Sequence, residues 1–471
     1  MNWHGLVRGG ETLLSAVVFS YFLLANAAYT ALMALSLRRV WIHVRRIVYL
    51  NLDETRHSPA TPPVTLIMPA WNEQQVVVET VRSALKTDYP GLRVILVDDG
   101  STDESLPRLL DAFELERAEL VYRPEIATGA VRGFYTSSEI PNLLVISKEH
   151  GGKFDALNVG INMCRTPYYC TLDSDCMLER DALLRLMRPI VSSPIDTVAS
   201  GGMVRVMNGS QVKDGQVVHS RLPRTSLERF QVVEYLRGFL FGRTGWDTLD
   251  GTLIVSGAFA VYHRESVIEA GGVPGDTVTE DIDLIAQLHR WARKNKRHAR
   301  MTFTSDPVCW TECPATLANL GRQRRRWELG LCQTLWKNLD ICLNREFGLV
   351  GLVTFPFYLC VEAAGAVAEL LGYVLLPVAF LLGLVHSPLM LLFIALAWLY
   401  GCFLSASAVM LEDFTYHRYA DFRDLLLLLL YALLENLGYR QIILFYRCQG
   451  VVRFLTGFRQ WEKVSHLGRS G

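Results

Sequence analysis

The chain has 471 residues, with 47 Lys and Arg against 47 Asp and Glu; half of its residues are hydrophobic and only 20% are charged. These proportions exclude disordered, collagen-like and disulfide-scaffold proteins. A formal net charge of zero argues against a nucleic-acid binder, which would need a basic surplus. The ten cysteines are scattered, several in apolar stretches, as small buried hydrophobes of a reducing compartment.

Residues 12–37 carry no charged side chain, and Arg38, Arg39, Arg45 and Arg46 follow. Roughly 20 apolar residues cross the hydrocarbon of a bilayer, so this segment is long enough to span it. A cleaved leader would have a shorter apolar region with its basic residues first. Basic residues after the span predict an outside N-terminus and a cytoplasmic position for the chain that follows. Residues 1–58 read as a membrane anchor and its basic juxtamembrane segment.

Residues 59–330 are more polar. Apolar runs at 64–68, 93–97, 143–146 and 168–172 read as buried strands, and 75–86 and 282–293 have helical spacing. Such alternation predicts a largely parallel sheet with helices on both faces. Ligands then bind beyond the carboxyl ends of the strands.

Four constellations lie at such places. Pro69-Ala-Trp-Asn72-Glu73 and Asp98-Asp99-Gly-Ser-Thr-Asp103 each follow a strand; their carboxylates suit the N–H of a nucleobase and ribose hydroxyls, or else form a turn and a helix cap. Asp173-Ser-Asp175 closes another strand, and two carboxylates two residues apart suit one hard divalent cation bridging a diphosphate. Lys153, after a Gly-Gly turn, is a candidate cation for the phosphates or a solvated lysine. Thr279-Glu280-Asp281 opens a helix, where it either caps the helix or aims Asp281 into the cleft as a base. Gln323-Arg-Arg-Arg326-Trp327 stands just before a second apolar block, either as a basic interfacial anchor or as a site for a leaving diphosphate and a sugar face. Cys309 and Cys313 have no second Cys/His pair near them in sequence, so no structural zinc is expected.

Residues 331–349 are expected to form an interfacial helix. From 347 to 411 the only charges are Glu362 and Glu369, with spans expected near 352–384 and 388–411 and a break at His386-Ser387-Pro388. A further apolar stretch, 425–446, carries Glu435 and Arg440, which face either a polar pathway or the interface. Residues 350–447 thus form a helical membrane block and 448–471 a basic tail. An odd number of spans here would put that tail outside, against the positive-inside tendency.

The ordered set of motifs resembles the processive membrane-bound glycosyltransferases of family 2, which include cellulose, hyaluronan, poly-N-acetylglucosamine and chitooligosaccharide synthases. The resemblance covers nearly the whole chain: anchor, catalytic domain, the D, DxD, TED and QxxRW motifs, and the C-terminal spans. It implies an α/β GT-A (Rossmann-like) catalytic domain plus an α-helical transmembrane bundle. It also implies a donor site of Pro69, Asn72, Glu73, Asp98, Asp99, Lys153 and Asp173, a metal on Asp173 and Asp175, and catalytic Asp281 with Glu280. Ser256 and Gly257, in a segment similar to one beside the acceptor's terminal sugar, join Gln323, Arg326 and Trp327 as acceptor and diphosphate residues. The two arginines in the variable positions of QxxRW are tolerated by the pattern.

The expected reaction is an inverting, Mg²⁺- or Mn²⁺-dependent transfer from a UDP-sugar, UDP-N-acetylglucosamine first and UDP-glucose second, onto a growing β-linked polysaccharide. The expected place is the bacterial inner membrane, crossed several times, with the catalytic domain cytoplasmic. Its partners would be the nucleotide-sugar, the glycan, the bilayer and a small membrane or periplasmic export subunit, with no nucleic acid. A lipid-carrier glycosyltransferase and a non-catalytic nucleotide-sugar sensor of a transporter are the rival readings.

Overall fold

All seven side chains of β1 (Val64–Ala70) are buried, so this strand reads as an unbroken apolar run, as a central parallel strand does. In the computed structural model, which describes residues 3–47, 52–192, 196–381, 387–419 and 421–458, β1 is flanked by β2 (Arg93–Asp98) and, across a short run, by β6 (Tyr168–Leu172). Ala70 lies opposite Asp98, and Ile67 opposite Thr171. The carboxyl ends of three parallel strands therefore reach one edge together.

Between β2 and β6 the chain forms β3 (Glu116–Ala118), β4 (Val131–Thr136) and β5 (Leu143–Lys148). After β6 come β7 (Met177–Leu178), β8 (Asp196–Val206), the hairpin β9 (Gln211–Lys213) and β10 (Gln216–His219), β11 (Phe259–His263) and β12 (Ala299–Thr311). Ten of these strands form one sheet in the order β3-β4-β5-β2-β1-β6-β11-β8-β12-β7. The sheet is mixed rather than largely parallel. Only β5-β2-β1-β6 and the β8–β12 pair run parallel; β11 inserts antiparallel between β6 and β8. The chain reaches β11 through the helices of residues 226–248 and an irregular loop, and enters it beside β6 in the antiparallel sense.

The second half of the domain is helical. Ser226–Leu236 begins with a Thr225/Glu228 capping box and runs into a π-helical segment, Arg237–Arg243, and then Thr244–Thr248. Leu317–Lys337 continues through Trp327 and Trp336. Residues 331–349 are therefore not a separate interfacial helix. The Leu317–Lys337 helix persists because Leu331 and Leu335 extend its buried stripe, and it ends where buried Asn338 turns its side chain back to the Thr334 carbonyl. Two short 3₁₀ turns, Leu339–Ile341 and Arg345–Phe347, follow.

Among the described residues three helical segments are long and apolar enough to cross a membrane, Ser20–Ile42, Val350–Val378 and Ile394–Thr415. A fourth span arises if Phe422–Leu434 and Tyr439–Leu455, bent by 58°, count as one. The expected span 425–446 is thus broken at 435–438, where Gly438 takes a positive φ of 98°. Pro377 lies inside the Ala364–Leu381 helix, while His386 and the basic residues Arg459, Lys463 and Arg469 lie outside the described residues.

One core joins the catalytic sheet to these helices. Met33, Leu404, Val409, Leu428 and Ala432 pack into the same apolar cluster as β1 and β2. A fully buried ion pair, Arg205 to Glu412 at 2.7 Å, crosses the junction, and Arg447 holds Glu328 at 2.7 Å. The Tyr439–Leu455 helix thus lies along the helix that carries Gln323–Trp327.

Candidate active site

The strand edge opens into a cavity of about 2310 Å³ that continues among the apolar helices. Pro69, Glu73, Asp99, Lys153, Asp173, Asp175, Ser256, Gly257, Glu280, Asp281, Gln323, Arg326 and Trp327 all line it. Segments as distant as β1 and the Leu317–Lys337 helix converge there. Asn72 and Asp98 are not among the lining residues.

Those two residues build the loops instead. Asn72, in the left-handed region at φ 56°, accepts from the backbone N–H of Thr102 at 2.8 Å and Asp103 at 3.3 Å, stitching the two strand-end loops together. Asp98 is buried and accepts from the Ser101 N–H at 3.2 Å and the Ser147 hydroxyl at 3.3 Å; burial raises its pKa above the ordinary carboxylate value. Asp99 faces the cavity. Its carboxylate accepts from Lys148 at 2.7 Å, from the N–H groups of Gly151 and Gly152 at 2.9 and 2.8 Å, and lies 2.8 Å from His150 Nδ1. The His150 ring stacks on Trp71 with centroids 4.7 Å apart, and both line the cavity. The four motifs do not include this pair; its signal in sequence is an aromatic in a loop closing a buried strand.

Lys153 is the electrostatic hub. Its Nζ lies 2.7 Å from Asp173 and 2.9 Å from Glu280, joining the DxD and TED segments. Burial works against its charge, but Asp173 and Glu280 outweigh that and raise its pKa. Burial would likewise raise Glu280, yet Lys153 holds its carboxyl below the ordinary value. Asp173 goes the other way: burial raises it, and the charge of Asp175 adds to the rise against Lys153. Asp281 is pushed up to about 6 by burial and by neighbouring Glu280, with Lys153 opposing.

Two glycine positions fix this geometry. A Cβ on Gly257 would sit 2.7 Å from Asp281 Oδ2, and one on Gly330 would sit 2.3 Å from Thr279 Cγ2. Only glycine lets the Ser256-Gly257 loop and the Leu317–Lys337 helix close on the TED segment. The same loop accepts from the Asp173 N–H through the Ala258 carbonyl at 3.3 Å.

The variable arginines of QxxRW have definite places. Arg324 is buried, pairs with Glu234 at 2.9 Å and lays its guanidinium 4.2 Å from the Trp327 ring. Arg325 reaches Gln449 at 3.1 Å on the Tyr439–Leu455 helix. Trp327 itself remains 39% exposed toward the cavity, open to a flat ligand face.

For a metal, the donor set is the Asp173/Asp175 pair; among the described residues no group of three or more His, Cys, Asp or Glu converges. Two carboxylates close enough to repel each other fit a Mg²⁺-like ion, which takes one or two carboxylates and completes its shell with phosphate oxygens and water.

Residues 65–271 match the model of glycosyl transferase family 2, and residues 170–411 that of glycosyl transferase family group 2. The chain belongs to the family 2 glycosyltransferases. It is 25% identical over 312 residues to the poly-β-1,6-N-acetyl-D-glucosamine synthase of Staphylococcus aureus, across 66% of this chain and 61% of that one. The synthase of Staphylococcus epidermidis is 24% identical over 280 residues, across 59% and 57%. The matched region thus spans less than two thirds of these relatives. Among solved structures, a mannosyltransferase from Pyrobaculum calidifontis, determined with GDP-mannose and Mn²⁺, shares the fold at a TM-score of 0.52 and 18% identity, over 92% of this chain and all of that one. The fold of this glycosyltransferase is GT-A, with apolar helices fused to it.

Proposed function

We propose that the protein is an inverting, metal-dependent, processive synthase that moves N-acetylglucosamine from UDP-N-acetylglucosamine onto a growing β-linked polysaccharide and passes the polymer through its membrane helices. The observation that carries this reading is the continuity of the cavity from Asp173 and Asp281 to Tyr29, Glu362, Tyr373, Trp398 and Arg440 on the apolar helices. A pure anchor needs no polar interior. The choice of sugar rests on the likeness to the poly-N-acetylglucosamine synthases.

In this reading Asp281 takes the proton of the acceptor hydroxyl, and with a pKa near 6 it is both ionised and basic enough at neutral pH. The acceptor oxygen attacks the anomeric carbon opposite the diphosphate, whose bond breaks with its electrons going to UDP, so an α-donor gives a β-linkage. Lys153 and Arg326 offset the charge that develops on the diphosphate. A divalent cation held by Asp173 and Asp175 would neutralise the same charge when bound. Glu280 fixes Lys153 between the two motifs. Arg38 and Arg39 at the end of the first span and Arg45 just beyond it support a cytoplasmic catalytic domain in a bacterial inner membrane.

Purified protein incubated with separate UDP-sugars and Mg²⁺ or Mn²⁺ is expected to release UDP from UDP-N-acetylglucosamine and build a long product cleaved by β-specific hydrolases. Chelation of the cation should abolish turnover. A product of one added sugar on a lipid carrier, or no turnover with any donor, overturns the reading.

A further inference from the structure

Arg243 ends the π-helical segment and lines the cavity. Its guanidinium lies 3.7 Å from the Phe239 ring, which covers one face, while its Nη1 is buried without a hydrogen-bond partner. An arginine has five N–H donors and no acceptor, and a buried one is ordinarily paired with a carboxylate. Among the described residues no carboxylate lies within ion-pair distance of it. The groups that face it electrostatically are Tyr358 from the first C-terminal span, Asp281 from the TED helix and Tyr235, two residues before the π segment. Arg243 therefore stands where the reaction centre meets the membrane helices. The π-helical turn that carries it is a distortion common at functional sites.

We infer that Arg243 is an acceptor-positioning residue, its unpaired N–H groups holding the oxygen atoms of the glycan's terminal sugars as their hydroxyl is presented to Asp281. This rests on the acceptor half of the proposed function and adds to it a residue outside the four motifs. The ligand class follows from the surroundings. Asp281 is the carboxylate that faces Arg243, so an acceptor phosphate placed beside the two would meet its repulsion, whereas neutral sugar oxygens would not. Phe239, against the Arg243 guanidinium, and Tyr358 line the cavity beside it and supply the apolar flank that a sugar ring needs.

The test uses full-length protein in detergent and two probes read by calorimetry: UDP with Mg²⁺, and a β-linked N-acetylglucosamine trisaccharide. Arg243→Ala should weaken the trisaccharide on the order of tenfold or more, as loss of hydrogen bonds from a charged group does, and leave UDP affinity unchanged. Arg243→Lys should recover part of the binding, which separates the contact from a folding defect. In the transfer reaction, the acid limb of the rate profile should move to higher pH in Arg243→Ala and stay in place in Arg243→Lys. Arg243 is a positive charge facing Asp281, alongside Lys153 and opposed by Glu280. Equal trisaccharide affinity in wild type and Arg243→Ala overturns the inference, as does a wild type that binds UDP but not the trisaccharide. So does a short isoprenyl phosphate that binds the wild type and is lost in the variant. Loss of UDP binding in the wild type overturns the proposed function instead.

Discussion

The donor side and the acceptor side of the cavity are built differently. On the donor side, strand ends carry the chemistry and most polar groups already have protein partners: Asp99 with four donors, Lys153 with two carboxylates. On the acceptor side, helices carry it, and Arg243 Nη1, Gln323 Oε1 and Thr279 Oγ1 are buried without partners. A nucleoside diphosphate is the same molecule at every cycle, so a preorganised site loses nothing by being rigid. A glycan end must arrive, react and slide on, and unmet hydrogen-bonding groups serve a ligand that changes position.

The comparison breaks most sharply at Asp281, where the two sides meet. Asp281→Asn should lower turnover by about 10²–10⁴-fold, the range of general base catalysis, with UDP affinity retained. The wild-type rate should fall as pH drops through about 6, where Asp281 takes up its proton. Because its folded pKa lies above the ordinary carboxylate value, the charged form is the one that folding disfavours. The Asn variant should therefore melt at a higher temperature than wild type at pH 8. A melting temperature below wild type would assign Asp281 to structure instead of chemistry.

The next largest effect tests how the two sides are joined. Arg205→Met leaves Glu412 buried and unpaired, at a cost of about 3–5 kcal/mol, read as a lower melting temperature. Adding Glu412→Leu should recover most of that loss, since an apolar pair can replace a buried ion pair. Failure of the double variant to recover would mean the pair fixes the orientation of catalytic sheet and helices as well as compensating charge.

A third prediction sharpens the donor side. Lys153→Met removes the cation between Asp173 and Glu280, and turnover should fall on the order of 10²-fold, as when one charge-stabilising donor is lost. Lys153 also lowers the pKa of Asp281, so the acid limb should move to higher pH. A limb that stays at about 6 would place Lys153 too far from Asp281 for the assigned role.

The sequence carried the donor side more legibly than the acceptor side, for a physical reason. Central strands are short apolar runs closed by polar residues, so β1, β2, β5 and β6 and the motifs after them stand out at a glance. Asp98 and Asp99 could not be separated that way: neighbours in sequence, one turns into the loop's hydrogen bonds and the other into the cavity. The acceptor side depends on helix faces and on long-range packing. Nothing around Arg243 in sequence marks it as unpaired, and β8, β11 and β12 lack the run-and-turn pattern of the parallel core. The extent of the helix through Trp336 is likewise illegible in the sequence, because its buried stripe meets partners from the Glu280–Lys294 helix that no local pattern reveals.

The smallest effect concerns a position that the motif pattern leaves variable. Arg324→Lys keeps the charge beside Glu234 but loses the flat guanidinium 4.2 Å from the Trp327 ring, and a lysine at a stacked site is not an equivalent residue. A cation–π contact of this kind contributes about 0.5–2 kcal/mol. If Arg324 holds Trp327 at the angle that receives a sugar face, polymer formation should drop by roughly three- to tenfold while UDP binding stays at the wild-type level. The effect should vanish in a Trp327→Ala background, where there is no ring left to orient. Additive losses in the double variant would instead place Arg324 in the Glu234 and Tyr439 contacts that tie the last helix down, and the acceptor side would then owe its geometry to helix docking more than to ring placement.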